Sequence, residues 1–169
     1  DTVCLAALDK LGIPKEDARD YANDGCWELI IPGKTSFSYR PFDILLILQQ
    51  TLGISNGDIS SYDSYESLYE VFRANLRDYL KNEIQAELDG QSRGNHGHVL
   101  ISLFVDDCIE RVKGYADRGP VYTIRAPHAG GMADAANSLA VVKRLVYDDR
   151  EYTLEEFVTI LRNNWEGEE

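Results

Sequence analysis

The chain has no surplus of basic charge. Its 169 residues carry 17 Lys and Arg against 29 Asp and Glu, a formal charge of −12. Such a field repels phosphate, which excludes nucleic acid and anionic membrane as expected partners. A long hydrophobic run is also missing. The longest, Ile44-Leu45-Leu46-Ile47-Leu48, falls far short of the roughly 20 residues that cross a bilayer. No basic stretch followed by an apolar one opens the sequence, so no secretory signal is read. Cysteine is scarce: Cys4, Cys26 and Cys108 are far apart and form no Cys-x-x-Cys pair. That suits a reducing cytoplasm better than a disulfide scaffold, and a cysteine kept reduced can do chemistry. No internal repeat is visible. A starting Met is absent, which suggests a processed or excised segment.

What is present is ordinary globular composition, 44% apolar and 27% charged, which argues for one folded domain and against disorder. Helical periodicity dominates. Val3, Ala6/Ala7 and Leu11 mark a first helix closed by Gly12 and Pro14, and Lys15 to Ala22 reads as a second. Asn23-Asp24-Gly25 signals a turn, and Cys26 to Ile31 an extended segment stopped by Pro32-Gly33. A buried helix is expected from Pro41 to Leu52. Asp63 with Glu66 has N-capping spacing for a long helix striped by Leu68, Val71/Phe72, Leu76, Tyr79/Leu80, Ile84 and Leu88. A polar loop follows over residues 89–97. Val99 to Arg111 reads as helix, Val121 to Ile124 as strand, and Ala129-Gly130-Gly131 as a tight connection before a helix from Ala133 to Tyr147. Thr153 and Glu156 form a capping box for a last helix striped by Leu154, Phe157, Val158 and Leu161.

Gly25-Cys26-Trp27-Glu28 is the strongest chemical candidate. On an extended backbone, side chains two apart share a face, so Cys26 and Glu28 would stand together with Trp27 on the other side. A thiol beside a carboxylate suits a site where sulfur exchanges a hydrogen and the carboxylate takes a proton. The plain alternative is a buried structural cysteine beside a solvent-facing glutamate.

Leu11-Gly12-Ile13-Pro14 through Glu16 to Ala22, then Gly25-Cys26-x-Glu28 and Pro32-Gly33-Lys34, resembles the approach of the glycyl radical enzymes to their cysteine loop. Asp107-Cys108-Ile109-Glu110, then Ala133-Asp134 with Asn137 to Tyr147, and Asn164-Trp165-Glu166-Gly167 are similar to further blocks of that family, in the same order. The resemblance implies an α/β fold, a helix-rich fragment of the pyruvate formate-lyase-like barrel. Residues 1–169 would be part of that barrel, with the C-terminal glycine radical domain absent. It implies that Cys26 carries a thiyl radical and Glu28 acts as base in radical C–X bond cleavage, dehydratase or lyase, in anaerobic bacterial metabolism. An arylacetate-type decarboxylase or a formate acetyltransferase-like member is the alternative. Trp27 stands where pyruvate formate-lyase has a second cysteine, which argues against acetyl transfer by that route. Trp27 and Leu29 also depart from the Gly-Cys-Val-Glu-Pro of most dehydratases, leaving the substrate open. A standalone binding or assembly domain is a further alternative.

The resemblance further implies partners. These are a small-molecule substrate, the remainder of the parent enzyme as a homodimer, and a radical S-adenosylmethionine activase installing a glycyl radical on a segment outside this chain. No bound cofactor or metal is expected here. Arg111-Val112-Lys113-Gly114-Tyr115 imitates the radical motif, but its flanks match an internal block, so Gly114 reads as a helix C-cap. His96-Gly97-His98 lacks a third ligand at useful spacing and reads as loop. Asp106-Asp107 reads as a solvated helix edge, Cys4 and Cys108 as packing residues, and Gly130-Gly131 as a turn, not a phosphate cradle.

Overall fold

The computed structural model describes residues 1–25, 28–55, 62–92 and 98–167. The chain divides into two compact units, Asp1–Arg40 with Glu87–Pro127, and Pro41–Ala86 with His128–Glu169.

The first unit opens with α1 (Thr2–Lys10) and the short α2 (Lys15–Ala18). Gly12, at φ 76°, ends the first helix as expected, because glycine enters the left-handed region without steric cost. The buried face of α1 is not the expected one. Leu8 is fully buried, whereas Val3 and Leu11 are largely exposed. Leu8 packs with Ile13, Ala18 and Ile31, supported by Leu5, Tyr21, Leu29 and Tyr122. The second helix stops at Ala18 because Ala22 and Asn23 turn into a strand, β1 (Ala22–Asn23). β1 pairs antiparallel with β2 (Leu29–Ile30), Ala22 opposite Ile30 and Asn23 opposite Leu29.

Pro32-Gly33 stops β2 as expected. Lys34 N–H donates to Ile31 C=O at 3.0 Å with Gly33 at φ 76°, the β-turn that takes proline second and glycine third. β3 (Thr35–Asp43) follows and pairs with β4 (Tyr122–Gly130). The expected helix from Pro41 therefore begins later, as α3 (Ile44–Thr51). Proline tolerates this strand because in a two-stranded sheet each strand has an edge where a missing N–H costs no ladder bond.

α4 (Tyr65–Ser92) runs four residues into the expected loop. Its start is capped by Ser64 and not Asp63: Ser67 N–H donates to Ser64 Oγ at 3.1 Å, and Ser64 N–H to Ser67 Oγ at 3.2 Å. The expected helix from Val99 to Arg111 is only α5 (Val99–Ser102); turns take over afterwards, with Asp107 at φ 71° and Val112 at φ 53°. Helical hydrogen bonding cannot continue through left-handed residues.

The second unit has a helical core. Ile47 and Leu48 of α3, Leu68 and Phe72 of α4, and Phe157 and Val158 lie in one apolar cluster. α6 (Met132–Val142) also contributes, through Leu139 and Val142. Of the α4 stripe only Leu68 and Phe72 are buried; Val71, Tyr79, Ile84 and Leu88 are exposed. Gly131 precedes α6 at φ 65°, and a Cβ there would collide with Asp43 Oδ1 and Leu45. That close approach leaves Asp43 free to cap α3 through Leu45 N–H at 2.8 Å. The helix continues to Asp148, its last stretch, Lys143–Asp148, widened into a π-helix. α7 (Leu154–Arg162) bears out its expected capping box and stripe: Glu156 N–H donates to Thr153 Oγ1, and Phe157 and Val158 are buried.

Candidate functional site

Glu28 lies in the first unit, beside β1 and β2. Asp24 N–H donates to Glu28 C=O at 3.0 Å, one residue beyond the Asn23–Leu29 pair. Glu28 thus stands immediately before β2. Cys26 and Trp27 lie outside the described residues, and with them the expected shared face of Cys26 and Glu28. Glu28 itself is buried, 8% exposed. This corrects the solvent-facing glutamate of the plain alternative. Carboxylates are seldom so buried unless paired or put to use.

A polar lock holds the turn after β2. Lys34 Nζ lies 2.6 Å from Asp17 Oδ1, and Tyr122 donates its hydroxyl to Asp17 Oδ2 at 2.5 Å. The backbone doubles the link, Tyr122 N–H donating to Lys34 C=O at 2.9 Å. Asp106 N–H donates to Gly33 C=O at 2.8 Å. The hydrogen bond from Lys34, then that from Tyr122, holds the Asp17 carboxyl below the usual carboxylate range. The same bond raises the Tyr122 hydroxyl to about 12, with burial adding to it. Sequence reasoning missed this triad as a unit. Its parts lie in the Glu16-Asp17 and Pro32-Gly33-Lys34 stretches, but nothing local joins them to Tyr122, 105 residues from Asp17.

A second ionic group lies in the same unit. Glu87 Oε2 accepts from Arg40 at 2.6 Å and Oε1 from Arg125 at 2.8 Å, and Arg125 also donates to the buried Ser36 Oγ at 3.2 Å.

The remaining candidates fall elsewhere. Gly114 caps no helix: it sits among turns, its C=O accepting from Asp117 N–H at 2.9 Å and Gly119 N–H at 3.0 Å. Asp107 is likewise not on a helix; it pairs with Arg111 at 2.7 Å. Cys108 is buried, and burial pushes its thiol pKa up, with Glu110 and Asp107 adding to the effect. Cys4 is half-buried, and both thiols are free. His96 and Gly97 lie outside the described residues, and His98 stacks edge-on against Tyr115. Among the described residues, no three ligand-type side chains cluster as a metal site would require, and no helix is long and apolar enough to cross a membrane.

Known proteins place this architecture. The chain is 29% identical over 185 residues to (2S)-3-sulfopropanediol dehydratase of Klebsiella oxytoca, covering 100% of this chain and 22% of that protein. It is 30% identical over 177 residues to trans-4-hydroxy-L-proline dehydratase of Clostridioides difficile, covering 96% of this chain and 22% of the relative. A solved structure of 1,2-propanediol dehydration in Roseburia inulinivorans superposes with a TM-score of 0.79 at 26% identity, over 97% of this chain and 22% of that one. The mixed helix-and-strand fold is thus that of the corresponding part of a glycyl radical dehydratase, as the resemblance implied. The chain spans about a fifth of the length of the curated relatives it matches. The pyruvate formate lyase-like family model matches residues 1–169, and the chain belongs to that family.

Proposed function

We propose that residues 1–169 form the cysteine-bearing part of a glycyl radical enzyme that cleaves a C–X bond in a small hydroxylated substrate. Relatives named for sulfopropanediol and hydroxyproline dehydration support that reaction class. The burial of Glu28, two residues after Cys26, carries the assignment of the site. A carboxylate kept from water can take a substrate proton without solvent competing for it.

In this reading Cys26 gives up its thiol hydrogen atom and takes one from a substrate carbon. Glu28 accepts the hydroxyl proton before the C–X bond breaks. The glycyl radical, on a segment outside residues 1–169 and installed by a radical S-adenosylmethionine activase, supplies the initial abstraction from Cys26. Residues 1–169 are then part of the barrel domain, and the whole enzyme is a cytoplasmic homodimer; the unpaired thiols of Cys4 and Cys108 agree with a reducing compartment.

The test is Glu28→Gln in the complete enzyme, assayed on a hydroxylated substrate and on an arylacetate. Turnover of the hydroxylated substrate should fall by about 10²- to 10⁴-fold, the usual contribution of a general base. Unchanged turnover there removes Glu28 from the chemistry, and activity on the arylacetate alone identifies a decarboxylase. The 169-residue chain mixed anaerobically with a cognate activase should show no glycine-centred paramagnetic doublet. A doublet lost in Gly114→Ala would place the radical within this chain.

A further inference from the structure

In a chain with 29 acidic residues against 17 basic ones, three arginines line a single open cavity of about 440 Å³ in the first unit. They are Arg111, Arg118 and Arg125, joined by Pro120, Val121 and Thr123, and among the described residues no acidic side chain lines it. Guanidiniums gathered around one space repel each other unless something anionic offsets them.

Each arginine is placed by a different part of the fold. Thr123 and Arg125 stand two apart on β4 and so share a face, the opposite one from Tyr122, whose hydroxyl reaches Asp17. Glu87 Oε1 at 2.8 Å and the buried Ser36 Oγ at 3.2 Å fix the Arg125 guanidinium. Arg111 is held by Asp107 at 2.7 Å and donates to Pro120 C=O at 3.3 Å. Arg118 sits on the turn before Pro120 at φ 56°, a conformation costly for a non-glycine residue. Behind it, Gly119 packs so closely that a Cβ would collide with the Lys113 and Gly114 carbonyls. The turn is therefore braced from within while Arg118 is exposed, and Arg118 forms no ion pair among the described residues. Asp117 precedes it in sequence but does not line the cavity. With the groups linked through Glu87 and Asp107 included, four guanidiniums face two carboxylates, and two positive charges stay unmatched.

We infer that the cavity lined by Arg111, Arg118 and Arg125 binds a phosphate group, free or as the monoester of a small molecule. Guanidinium forks match phosphate oxygens two at a time, the two unmatched charges suit a dianion, and the Thr123 hydroxyl adds a donor. The cavity volume lies in the range of small-molecule sites, about 300–1,000 Å³. A net charge of −12 keeps large polyanions away. A small ion seated among the arginines is instead governed by them, because acids beyond the Debye length, about 8 Å at physiological salt, are screened. Binding here is independent of the chemistry proposed for Cys26 and Glu28.

The experiment titrates the complete polypeptide carrying residues 1–169 with inorganic phosphate, methyl phosphate and acetate by calorimetry, at constant ionic strength. Phosphate should bind saturably at one site per chain. Arg118→Gln should weaken that binding roughly 10-fold, the usual worth of one charge-assisted hydrogen bond, and Arg118→Lys should recover part of it. Arg77→Gln, an exposed cation on α4 outside the cavity, should leave it unchanged. Thr123→Val should weaken it about 3-fold, as loss of a neutral donor does, and gives the same readout should Arg118→Gln fail to fold. Methyl phosphate binding more tightly than inorganic phosphate identifies a monoester as the occupant; equal or weaker binding identifies the free ion. No saturable binding overturns the inference, as does binding that Arg118→Gln and Thr123→Val leave untouched. Acetate binding as tightly as phosphate overturns it in favour of a carboxylate.

Discussion

In the unit built from Pro41–Ala86 and His128–Glu169, Leu48, Leu68, Val142 and Val158 are essentially inaccessible and belong to one apolar cluster drawn from four helices. In the unit that carries Cys26 and Glu28, the corresponding cluster among the described residues is Leu8, Ile13, Ala18 and Ile31. There the chain is tied instead by Asp17 with Lys34 and Tyr122, and by Glu87 between Arg40 and Arg125. Apolar packing tolerates adjustment of shape, whereas a charged hydrogen bond fixes direction. Directional contacts between distant side chains therefore hold the backbone around the candidate site, as the proposed chemistry would require.

Cutting into each unit should show this difference. Leu48→Ala should have the largest effect, destabilising by about 4 kcal/mol in chemical denaturation, because a buried leucine removed from a closed helical cluster leaves a cavity. Leu8→Ala should cost about 3 kcal/mol by the same measurement, since fewer apolar neighbours surround it.

Asp17→Asn should leave the helical core intact while loosening the lock. Hydrogen exchange should quicken in Leu29–Ile30 and at Tyr122, and the Tyr122 hydroxyl, followed by ring-carbon NMR, should titrate closer to 10.0 than to about 12. The pH dependence follows from the directions of the shifts. The Asp17 carboxyl is held below its ordinary 3.8 in the folded chain. Its contribution is complete above that pH and is lost as pH falls through the depressed value. Tyr122 and Lys34 are raised above 10.0 and 10.5. Their contributions are complete below pH 10 and are lost as pH rises through the folded values, about 12 for Tyr122. Wild type should therefore lose exchange protection around β2 at both extremes, and Asp17→Asn should flatten both limbs.

Smaller effects complete the series. Thr153→Ala removes an N-cap from α7 and should cost about 1 kcal/mol in thermal unfolding. Leu11→Ala, on the exposed side of α1, should stay within about 0.5 kcal/mol of wild type. A loss as large as that of Leu8→Ala would restore the stripe that periodicity alone suggested.

Much of this was legible where the determining contacts are local. The Thr153–Glu156 box, the Pro32-Gly33 turn and the glycine ending α1 each depend on residues within four positions of one another, and each was read correctly. The α1 face was misread because Val3 and Leu11 fit a helical stripe as well as Leu8 does; Ile13, Ala18 and Ile31 choose between them. β3 was hidden by Pro41, which reads as a helix start but also suits a strand with a free edge. The helix expected over 99–111 stops at Ser102, and left-handed Asp107 lies further along the turns that replace it. For the site, residue types and spacing pointed to Cys26 and Glu28, but the burial of Glu28 and the Asp17–Lys34–Tyr122 lock depend on long-range packing.

The most direct test of the central proposal is Cys26→Ser in the complete enzyme after anaerobic activation. Serine keeps the shape and hydrogen bonding of cysteine but holds its hydrogen atom far more strongly than sulfur does. The glycine-centred doublet should form at wild-type intensity and persist with substrate present, and no product should appear. Product formation at the wild-type rate by Cys26→Ser would contradict the account, because the hydrogen would then be passing through a group other than residue 26.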